Sequence, residues 1–270
     1  MDPGKISKYS FLKGLSLLKL TVSSIGTFEK CPKKYHYRYI EKPDVVRNKW
    51  DFTEFGSCAH LILELFHKVL LKKHVPPSRY PDLMKWSFNK AIKEFDIDIL
   101  NGKIWSPDGD KNGIEFLKEI CQSYLNKIRK EGLPNVIGVE TSYNFEIDDA
   151  SMIRGFIDRI DKIDDKTYHV IDYKTSKNEK YLNEFQVLVY AEAVKRMYPD
   201  AEKIIGSYML LKHEMKMMSW TFTADDLDRC NKQIRKQSSL ITEETTWLKK
   251  PSILCRWCDY KDLCQNSWTD

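Results

Sequence analysis

GFIDRIDKIDDKTYHVIDYK, residues 155–174, is the stretch that decides the fold of this chain. Apolar and β-favouring residues recur in two runs, 152–163 and 167–173, and an Asp-Asp-Lys turn separates them. Two such runs around a turn predict a β-hairpin. Because successive side chains of a strand point to opposite faces, Asp172 and Lys174 are expected on one face and Tyr173 on the other.

The same hairpin carries a candidate metal site. Asp158 in the first strand and Asp172 in the second are acids among apolar neighbours, and Lys174 follows two residues later. Two carboxylates and an ammonium on adjacent strands form a place where a hard divalent cation, a water and a phosphate could meet. The alternative is a pair of strand-end acids that form salt bridges with Arg159 and Lys174.

The composition is that of a globular, mildly basic chain. Of its 270 residues 42% are hydrophobic and 31% are charged, and the net charge is +5. Such a charge is compatible with a polyanionic partner and equally with an ordinary lysine-rich surface. No apolar run reaches transmembrane length, so no membrane association is expected. Seven cysteines, an odd number, without the apolar core of a signal peptide favour a reducing, cytoplasmic location.

The order of the elements predicts a mixed α/β fold. Apolar periodicity predicts helices at 55–72, 81–97, 113–131, 180–197 and 224–241, and further strands at 136–147, 203–212 and 216–222. The block at about 75–132 is interpreted as a helical insertion within a single domain that covers residues 1–270.

Two of these helices carry polar residues at helical spacing. His60 and Glu64 are one turn apart, so both can reach the same site. An isolated histidine on such a helix is more often a core or surface residue, and its role therefore depends on what lies beside it. Gln186 and Tyr190 have the same spacing on the later helix and could also belong to its surface.

The C-terminal part contains a cysteine cluster. Cys255, Cys258 and Cys264 follow the pattern CxxCx5C, which indicates metal binding rather than packing. A fourth thiolate would complete a zinc site or an iron–sulfur cluster, and spacing alone does not choose between them. Cys31, beside Pro32 in an interrupted helix, is the preferred fourth ligand. The other three cysteines lie within helical patterns and are predicted to be buried apolar residues.

Taken in order, these motifs resemble the RecB-type nuclease core of the PD-(D/E)XK superfamily. The match consists of a glycine-led strand with Asp158, the DYK sequence at 172–174, a QxxxY helix at 186–190, and a GxxxH helix segment that ends at His60. The resemblance implies a restriction-endonuclease-like α/β fold. Its core would be a mixed sheet flanked by helices, with the helical insertion and the C-terminal cysteine cluster added.

The cysteines resemble the iron–sulfur branch of this group, which includes the AddB nuclease domain and the CRISPR-associated RecB-like exonucleases. The resemblance implies a [4Fe-4S] cluster, or less favourably zinc, that staples the chain together through Cys31, Cys255, Cys258 and Cys264. No helicase phosphate-binding loop of the GxxxxGK[ST] kind occurs, and the insertion at about 75–132 has no assigned counterpart. The chain is therefore expected to act alone or with a separate helicase or recombination partner.

The resemblance also implies roles for the site residues. Mg²⁺ or Mn²⁺ would be ligated by His60, Asp158, Asp172 and the carbonyl group of Tyr173. Lys174 would orient or help deprotonate the attacking water and offset charge in the transition state. Gln186 and Tyr190 would contact the DNA strand or hold Lys174 in place. Many relatives have Glu at the position of Asp172, and this shorter side chain is expected to shift the metal without abolishing it.

The implied function is a metal-dependent DNA exonuclease in replication, recombination or repair, with single-stranded DNA ends as the expected substrate. An endonuclease of the same fold is one alternative. A non-catalytic nucleic-acid-binding module with a structural zinc site is the other. The combination of Asp158, Asp172 and Lys174 argues against the second alternative, because binding alone does not require these three residues together.

Overall fold

The computed structural model describes residues 17–46, 49–177, 179 and 182–264. Its α-helices are α1 (Val22–Lys30), α2 (Pro32–Tyr35), α3 (Asp51–Lys72), α4 (Tyr80–Ala91), α5 (Ile97–Leu100), α6 (Gly113–Glu131), α7 (Phe185–Met197) and α8 (Ala224–Glu243). Its strands are β1 (Leu18–Leu20), β2 (Lys103–Ile104), β3 (Lys111–Asn112), β4 (Val136–Asp148), β5 (Ser151–Lys162), β6 (Thr167–Lys174), β7 (Lys203–Leu210) and β8 (Lys216–Phe222). A π-helical turn, His36–Glu41, follows α2.

A six-stranded mixed sheet in the order β1-β5-β6-β7-β8, with β4 also paired to β5, confirms the predicted fold class. Strands β5 and β6 form the predicted antiparallel hairpin, in which Arg159 lies opposite Ile171. Strand β7 runs parallel to β6 on its other side, and Lys174 lies opposite Leu210. Strand β6 is therefore paired on both sides from Tyr168 to Ile171, and its site residues, Asp172 to Lys174, continue in register with β7.

The two faces of β6 are covered by different helices. Ile171 and Tyr173 belong to the apolar core that α3, α4 and α6 form. Helix α7 packs on β6 and β7. Because side chains alternate along a strand, Asp172 and Lys174 face α7. Each large apolar side chain in this core contributes roughly 1.5–3 kcal/mol by its burial.

Several predicted boundaries shift by a few residues. Helix α3 begins at Asp51 rather than residue 55, because Asp51 and Glu54 extend it with acidic side chains that the amino end of a helix favours. Helix α7 begins at Phe185, whereas the predicted start at residue 180 lies outside the described residues. The predicted helix at 81–97 ends as an α-helix at Ala91 and continues as the 3-10 turn Ile92–Glu94.

The predicted insertion contains α4, α5, α6 and a short antiparallel pair, β2 and β3. Asn112 caps α6, since its side-chain oxygen accepts hydrogen bonds from the backbone N–H groups of Ile114 and Glu115. Gly113 follows because a Cβ there would lie 2.4 Å from the carbonyl oxygen of Leu100. The end of α5 thus packs closely against the start of α6.

The contacts between residues divide the chain into two compact units. The first comprises Met1–Pro43, Asn144–Gly155 and Asn231–Asp270, and the second comprises Asp44–Tyr143 and Phe156–Cys230. The four cysteines of the predicted cluster belong to the first unit, and the predicted metal-site residues belong to the second. Among the helices of the described residues, none is both long and apolar enough to cross a membrane.

Candidate active site

The predicted site residues come together at the C-terminal end of β6. Lys174 Nζ lies 2.6 Å from Asp172 Oδ2, and His60 Nδ1 lies 3.3 Å from Asp158 Oδ2. The same oxygen of Asp158 accepts a hydrogen bond of 2.8 Å from the backbone N–H of Tyr173. Asp158 therefore connects helix α3, strand β5 and the backbone of β6, so three separate segments of sequence meet in one place.

Helix α7 contributes an amide that bridges the acid and the lysine. Gln186 Oε1 accepts a hydrogen bond of 2.8 Å from Lys174 Nζ, and Gln186 Nε2 donates one of 2.6 Å to Asp172 Oδ1. Tyr190 OH accepts from the same Nε2 at 2.8 Å and donates to Asp172 Oδ1 at 3.2 Å. The i, i+4 spacing places both side chains on the helix face that meets β6. Gln186 thus fixes Lys174 relative to Asp172.

The electrostatics of the site are dominated by acids. Burial, and then the neighbouring Asp172, raise the pKa of Asp158 well above its usual range. Burial, followed by Asp158 and Glu64, raises the pKa of Glu140 to about 7. Burial lowers the pKa of His60, so its imidazole is favoured in the neutral form that can ligate a metal. A divalent cation among these carboxylates would stabilise their charged forms.

The donor set fits a hard divalent cation. Asp172 Oδ2 is buried without a hydrogen-bond partner among the described residues, although Lys174 Nζ is close enough to form an ion pair. Carboxylate oxygens, a backbone carbonyl and one imidazole are the ligands that Mg²⁺ or Mn²⁺ accepts. In the part of the chain that the structure describes, no three His, Cys, Asp or Glu side chains already stand together in a geometry that could hold a metal ion.

Glu140 is a member of the site to which the sequence analysis assigned no role. It lies in β4 with a positive φ of 48°, a left-handed conformation that non-glycine residues rarely adopt. Such conformations cluster at functional sites, where the surrounding structure holds them in place. The available signal was an acid within the apolar half of a predicted strand.

A buried polar network lies on the opposite face of the hairpin. Arg159 donates hydrogen bonds to Asp161 Oδ2 at 2.9 Å, Tyr124 OH at 2.6 Å and Tyr173 OH at 3.3 Å. His67 Nε2 and Tyr124 OH share a further hydrogen bond of 2.5 Å. Of the two salt bridges in the alternative interpretation, the one between Lys174 and Asp172 is present. The one between Arg159 and Asp158 was wrong. Arg159 pairs with Asp161 instead, because alternation along β5 places these two side chains on the same face.

The four clustered cysteines line one pocket in the first unit. Its walls are formed by Cys31, Cys255, Cys258 and Cys264, and by Lys33, Lys34, Lys249, Lys250, Pro251 and Lys261. Burial raises the pKa of Cys258, Lys34 opposes this effect, and Cys255 and Cys31 act in the same direction as burial. The thiols are therefore near enough to influence one another. Four thiolates beside lysines suit a zinc ion or an iron–sulfur cluster, and lysines favour the thiolate form.

Local structure explains why Cys31 faces this pocket. It precedes α2, and its Sγ accepts a hydrogen bond from the backbone N–H of Lys34 at 3.4 Å, while Pro32 occupies the first helical position. Tyr37 OH donates to the carbonyl oxygen of Leu263, which joins the N-terminal helices to the C-terminal cysteine segment.

The remaining cysteines behave as predicted. Cys58, Cys121 and Cys230 are at most 7% exposed, and burial raises the pKa of each to about 12. They are packing residues with unreactive thiols.

Comparisons with known proteins show the family of this chain. A sequence profile of the PD-(D/E)XK nuclease superfamily matches residues 19–265. The chain is 26% identical over 239 residues to one subunit of an ATP-dependent helicase/deoxyribonuclease from Streptococcus agalactiae, covering 84% of this chain and 21% of that protein. The corresponding protein of Streptococcus mutans is 26% identical over 216 residues, covering 74% and 18%. The chain thus spans about a fifth of the length of these curated relatives.

A solved structure supports the fold. The crystal structure of a candidate exonuclease from Eubacterium rectale aligns over 100% of this chain and 96% of its own, with a TM-score of 0.50 and 13% identity. At this identity the likeness concerns the fold alone.

Proposed function

Because the chain belongs to the PD-(D/E)XK nuclease superfamily, we propose that it is a divalent-metal-dependent deoxyribonuclease that hydrolyses phosphodiester bonds. One observation carries this proposal. The ammonium of Lys174 is held between Asp172 and Gln186, on the same strand end where Asp158 and His60 meet. A module that only binds nucleic acid does not need an ammonium fixed beside a cluster of acids.

The proposed mechanism assigns a task to each group. A bound Mg²⁺ or Mn²⁺ would supply Lewis-acid chemistry, which would lower the pKa of the attacking water and offset the charge of the scissile phosphate. His60, Asp158, Asp172 and the Tyr173 carbonyl would hold this cation. Lys174 would orient the attacking water and stabilise negative charge that develops on the phosphate oxygens. Gln186 and Tyr190 would keep Lys174 and Asp172 in register, so that the ammonium and the carboxylate act together.

The finer proposal is an exonuclease that acts on single-stranded DNA ends. Its support is the resemblance of the motifs to RecB-type nucleases and the name of the streptococcal relatives. That name also pairs a helicase with a deoxyribonuclease activity, which supports a helicase or recombination partner for this chain. We further propose that residues 1–270 work as a single nuclease domain, with an insertion at about 75–132, in the cytoplasm.

We propose that Cys31, Cys255, Cys258 and Cys264 hold a [4Fe-4S] cluster, with zinc as the alternative occupant. The shared pocket of these four cysteines supports the proposal. The cluster would staple the N-terminal helices to the C-terminal segment, so that its binding energy becomes part of the folding energy.

Catalysis is tested with end-labelled single-stranded DNA and Mg²⁺ or Mn²⁺. We expect degradation by the wild type and its loss in Lys174→Ala. Lys118→Ala, which removes an exposed lysine of α6, is the matched control and is expected to retain wild-type activity. Equal degradation by the wild type and Lys174→Ala would overturn the assignment.

Whether the enzyme requires a DNA end is tested separately with circular single-stranded DNA of the same sequence. An exonuclease degrades the linear form and leaves the circle intact. Cleavage of both forms at equal rates would establish the endonuclease alternative.

The cluster is tested on anaerobically purified protein by visible absorption and by iron, sulfide and zinc analysis. We expect a brown protein with iron and sulfide, which Cys264→Ala loses and the control Cys121→Ala retains. A colourless protein that contains zinc contradicts the iron–sulfur assignment.

A further inference from the structure

The loops that follow β6 and β7 begin at the same edge of the sheet as the candidate active site. The strands are parallel, and the backbone N–H of Leu211 donates to the carbonyl oxygen of Lys174. Thr175 then lies against Gly56, where an added Cβ would be 2.9 Å from Thr175 Oγ1. Gly56 is one turn before His60 on α3, so the start of the first loop is adjacent to the metal-site helix.

The predicted insertion reaches this edge through one aromatic residue. Trp105 follows β2 and is half-buried. Its ring lies 5.9 Å from the ring of His213, in the loop after β7. Lys177, in the loop after β6, is exposed, and its Nζ lies 5.0 Å from the centre of the Trp105 ring. A tryptophan, a lysine and a histidine from three segments therefore form one cluster beside the site, which we call the Trp105 cluster.

Two polar atoms near this cluster have unused hydrogen-bonding capacity. Ser176 Oγ, between Thr175 and Lys177, and His213 Nε2 are shielded from solvent and have no hydrogen-bond partner among the described residues. Shielded polar groups are nearly always paired in folded proteins. Both atoms belong to the loops that carry Lys177 and His213, so the described residues leave hydrogen-bonding capacity open in these loops.

We propose that the Trp105 cluster binds the nucleotide next to the scissile phosphate of a single strand. The base stacks on Trp105, Lys177 contacts the backbone phosphate, and His213 packs beside the base. The inference rests on the proposed nuclease function, and it assigns the insertion a role in holding the substrate strand. Aromatic rings with adjacent cations are the groups that bind single strands without regard to sequence.

The intramolecular contact between Lys177 and Trp105 does not compete with this role. A cation–π contact at an exposed site is weaker than the stacking of a base on an aromatic ring. An incoming base can therefore take the place of the ammonium on the ring, and the released ammonium is then free to pair with the phosphate. The strand gains two interactions and the protein gives up one weak contact.

The insertion also contains a matched control for the Trp105 cluster. Trp86 on α4 is 45% exposed, and Lys90 Nζ lies 5.2 Å from its ring centre. This pair has the same chemistry and nearly the same distance. It arises from the i, i+4 spacing of one helix and includes no residue of the loops after β6 and β7.

The test measures binding without cleavage. A fluorescein-labelled oligo(dT) strand is titrated with wild type, Trp105→Ala, Trp105→Phe and Trp86→Ala in EDTA, and anisotropy gives Kd. We expect Trp105→Ala to raise Kd about tenfold, since stacking of one base has roughly that effect. Trp105→Phe is expected to retain most of the affinity, and Trp86→Ala to bind as the wild type does.

Lys177→Ala provides a second measurement at an exposed position, where folding is not at risk. We expect the slope of log K against log salt to decrease by about one, as for a lost phosphate contact, with Lys90→Ala unchanged. Wild-type Kd in Trp105→Ala together with an unchanged salt slope in Lys177→Ala overturns the proposal. So does an equal loss in Trp86→Ala. If the wild type itself neither binds nor degrades DNA, the proposed function fails first, and the Trp105 cluster fails with it.

Discussion

Replacing Gln186 by Glu isolates the bridge between the acid and the lysine. The carboxylate that results has nearly the same shape, and it can still accept the hydrogen bond from Lys174. It cannot donate to Asp172, and it places an anionic oxygen where Nε2 now lies, 2.6 Å from Asp172 Oδ1. A hydrogen bond to a charged group contributes about 1.5–3 kcal/mol, so its loss predicts a fall in kcat of about 10- to 150-fold.

The assay is the initial rate of nucleotide release from end-labelled single-stranded DNA at saturating Mg²⁺. The control is Gln122→Glu on α6, because the Gln122 amide donates to Asn126 on an exposed surface, and wild-type activity is expected there. Thermal unfolding of both variants shows whether the fold is retained. If Gln186→Glu keeps at least half of the wild-type kcat while Lys174→Ala is inactive, the bridge does not position the catalytic pair.

The same experiment separates the two roles that the motif allowed for this residue. The amide is satisfied by Lys174, Asp172 and Tyr190, so a positioning role predicts a lower kcat with little change in KM. A residue that contacts the DNA strand would instead raise KM. A variant with raised KM and unchanged kcat contradicts the positioning role.

Three further predictions concern the framework of the site. Arg159→Leu leaves Asp161 buried without its partner and is expected to lower the free energy of unfolding in urea by about 3–5 kcal/mol. The double variant Arg159→Leu with Asp161→Leu is expected to recover most of this loss, and equal losses in the single and the double variant would be inconsistent with the pairing. Gly56→Ala is expected to reduce activity because the added Cβ would displace Thr175 Oγ1, although alanine has the higher helix propensity. Adding Thr175→Ala to this variant is expected to restore activity, and full activity of Gly56→Ala would contradict the prediction. Burial lowers the pKa of His169 to about 4, so the unfolded chain binds more protons than the folded chain between pH 6.5 and 4, and stability falls as the pH falls through this range. In urea unfolding at pH 7 and pH 5, His169→Gln should reduce the difference in stability between the two pH values, and an unchanged difference would refute the argument.

The hairpin was predictable because its signals are local. Alternation of side chains through Asp172, Tyr173 and Lys174 placed the acid and the lysine on one face, and the structure joins them at 2.6 Å. Spacing of four residues placed Gln186 and Tyr190 on one face of a helix in the same way. His60 was different, since nothing in its own helix distinguishes a ligand from a core histidine. It came from resemblance to a family, and the structure then places it 3.3 Å from Asp158.

The parts that sequence missed depend on contacts between distant segments. The partners of Arg159 include Tyr124 of α6, 35 positions earlier in the chain, and no periodicity connects them. Glu140 was visible as an acid in an apolar strand, but its proximity to Asp158 depends on how β4 lies along the sheet. Nothing in the sequence distinguishes Trp105 from other aromatic residues of the insertion, because its contacts come from His213 and Lys177 in the loops after β7 and β6.

Tyr173 forms hydrogen bonds on both faces of the hairpin. Asp158 holds its backbone N–H on the side of the candidate metal site, and Arg159 holds its hydroxyl in the buried network on the other side. The residue that would offer its carbonyl group to the cation is therefore held at its backbone N–H on one side and at its hydroxyl on the other. A site that must place ligands within about half an ångström depends on such support from behind. We therefore expect Arg159→Leu to weaken the binding of a divalent cation as well as to lower stability, although the Arg159 side chain points away from the candidate metal site.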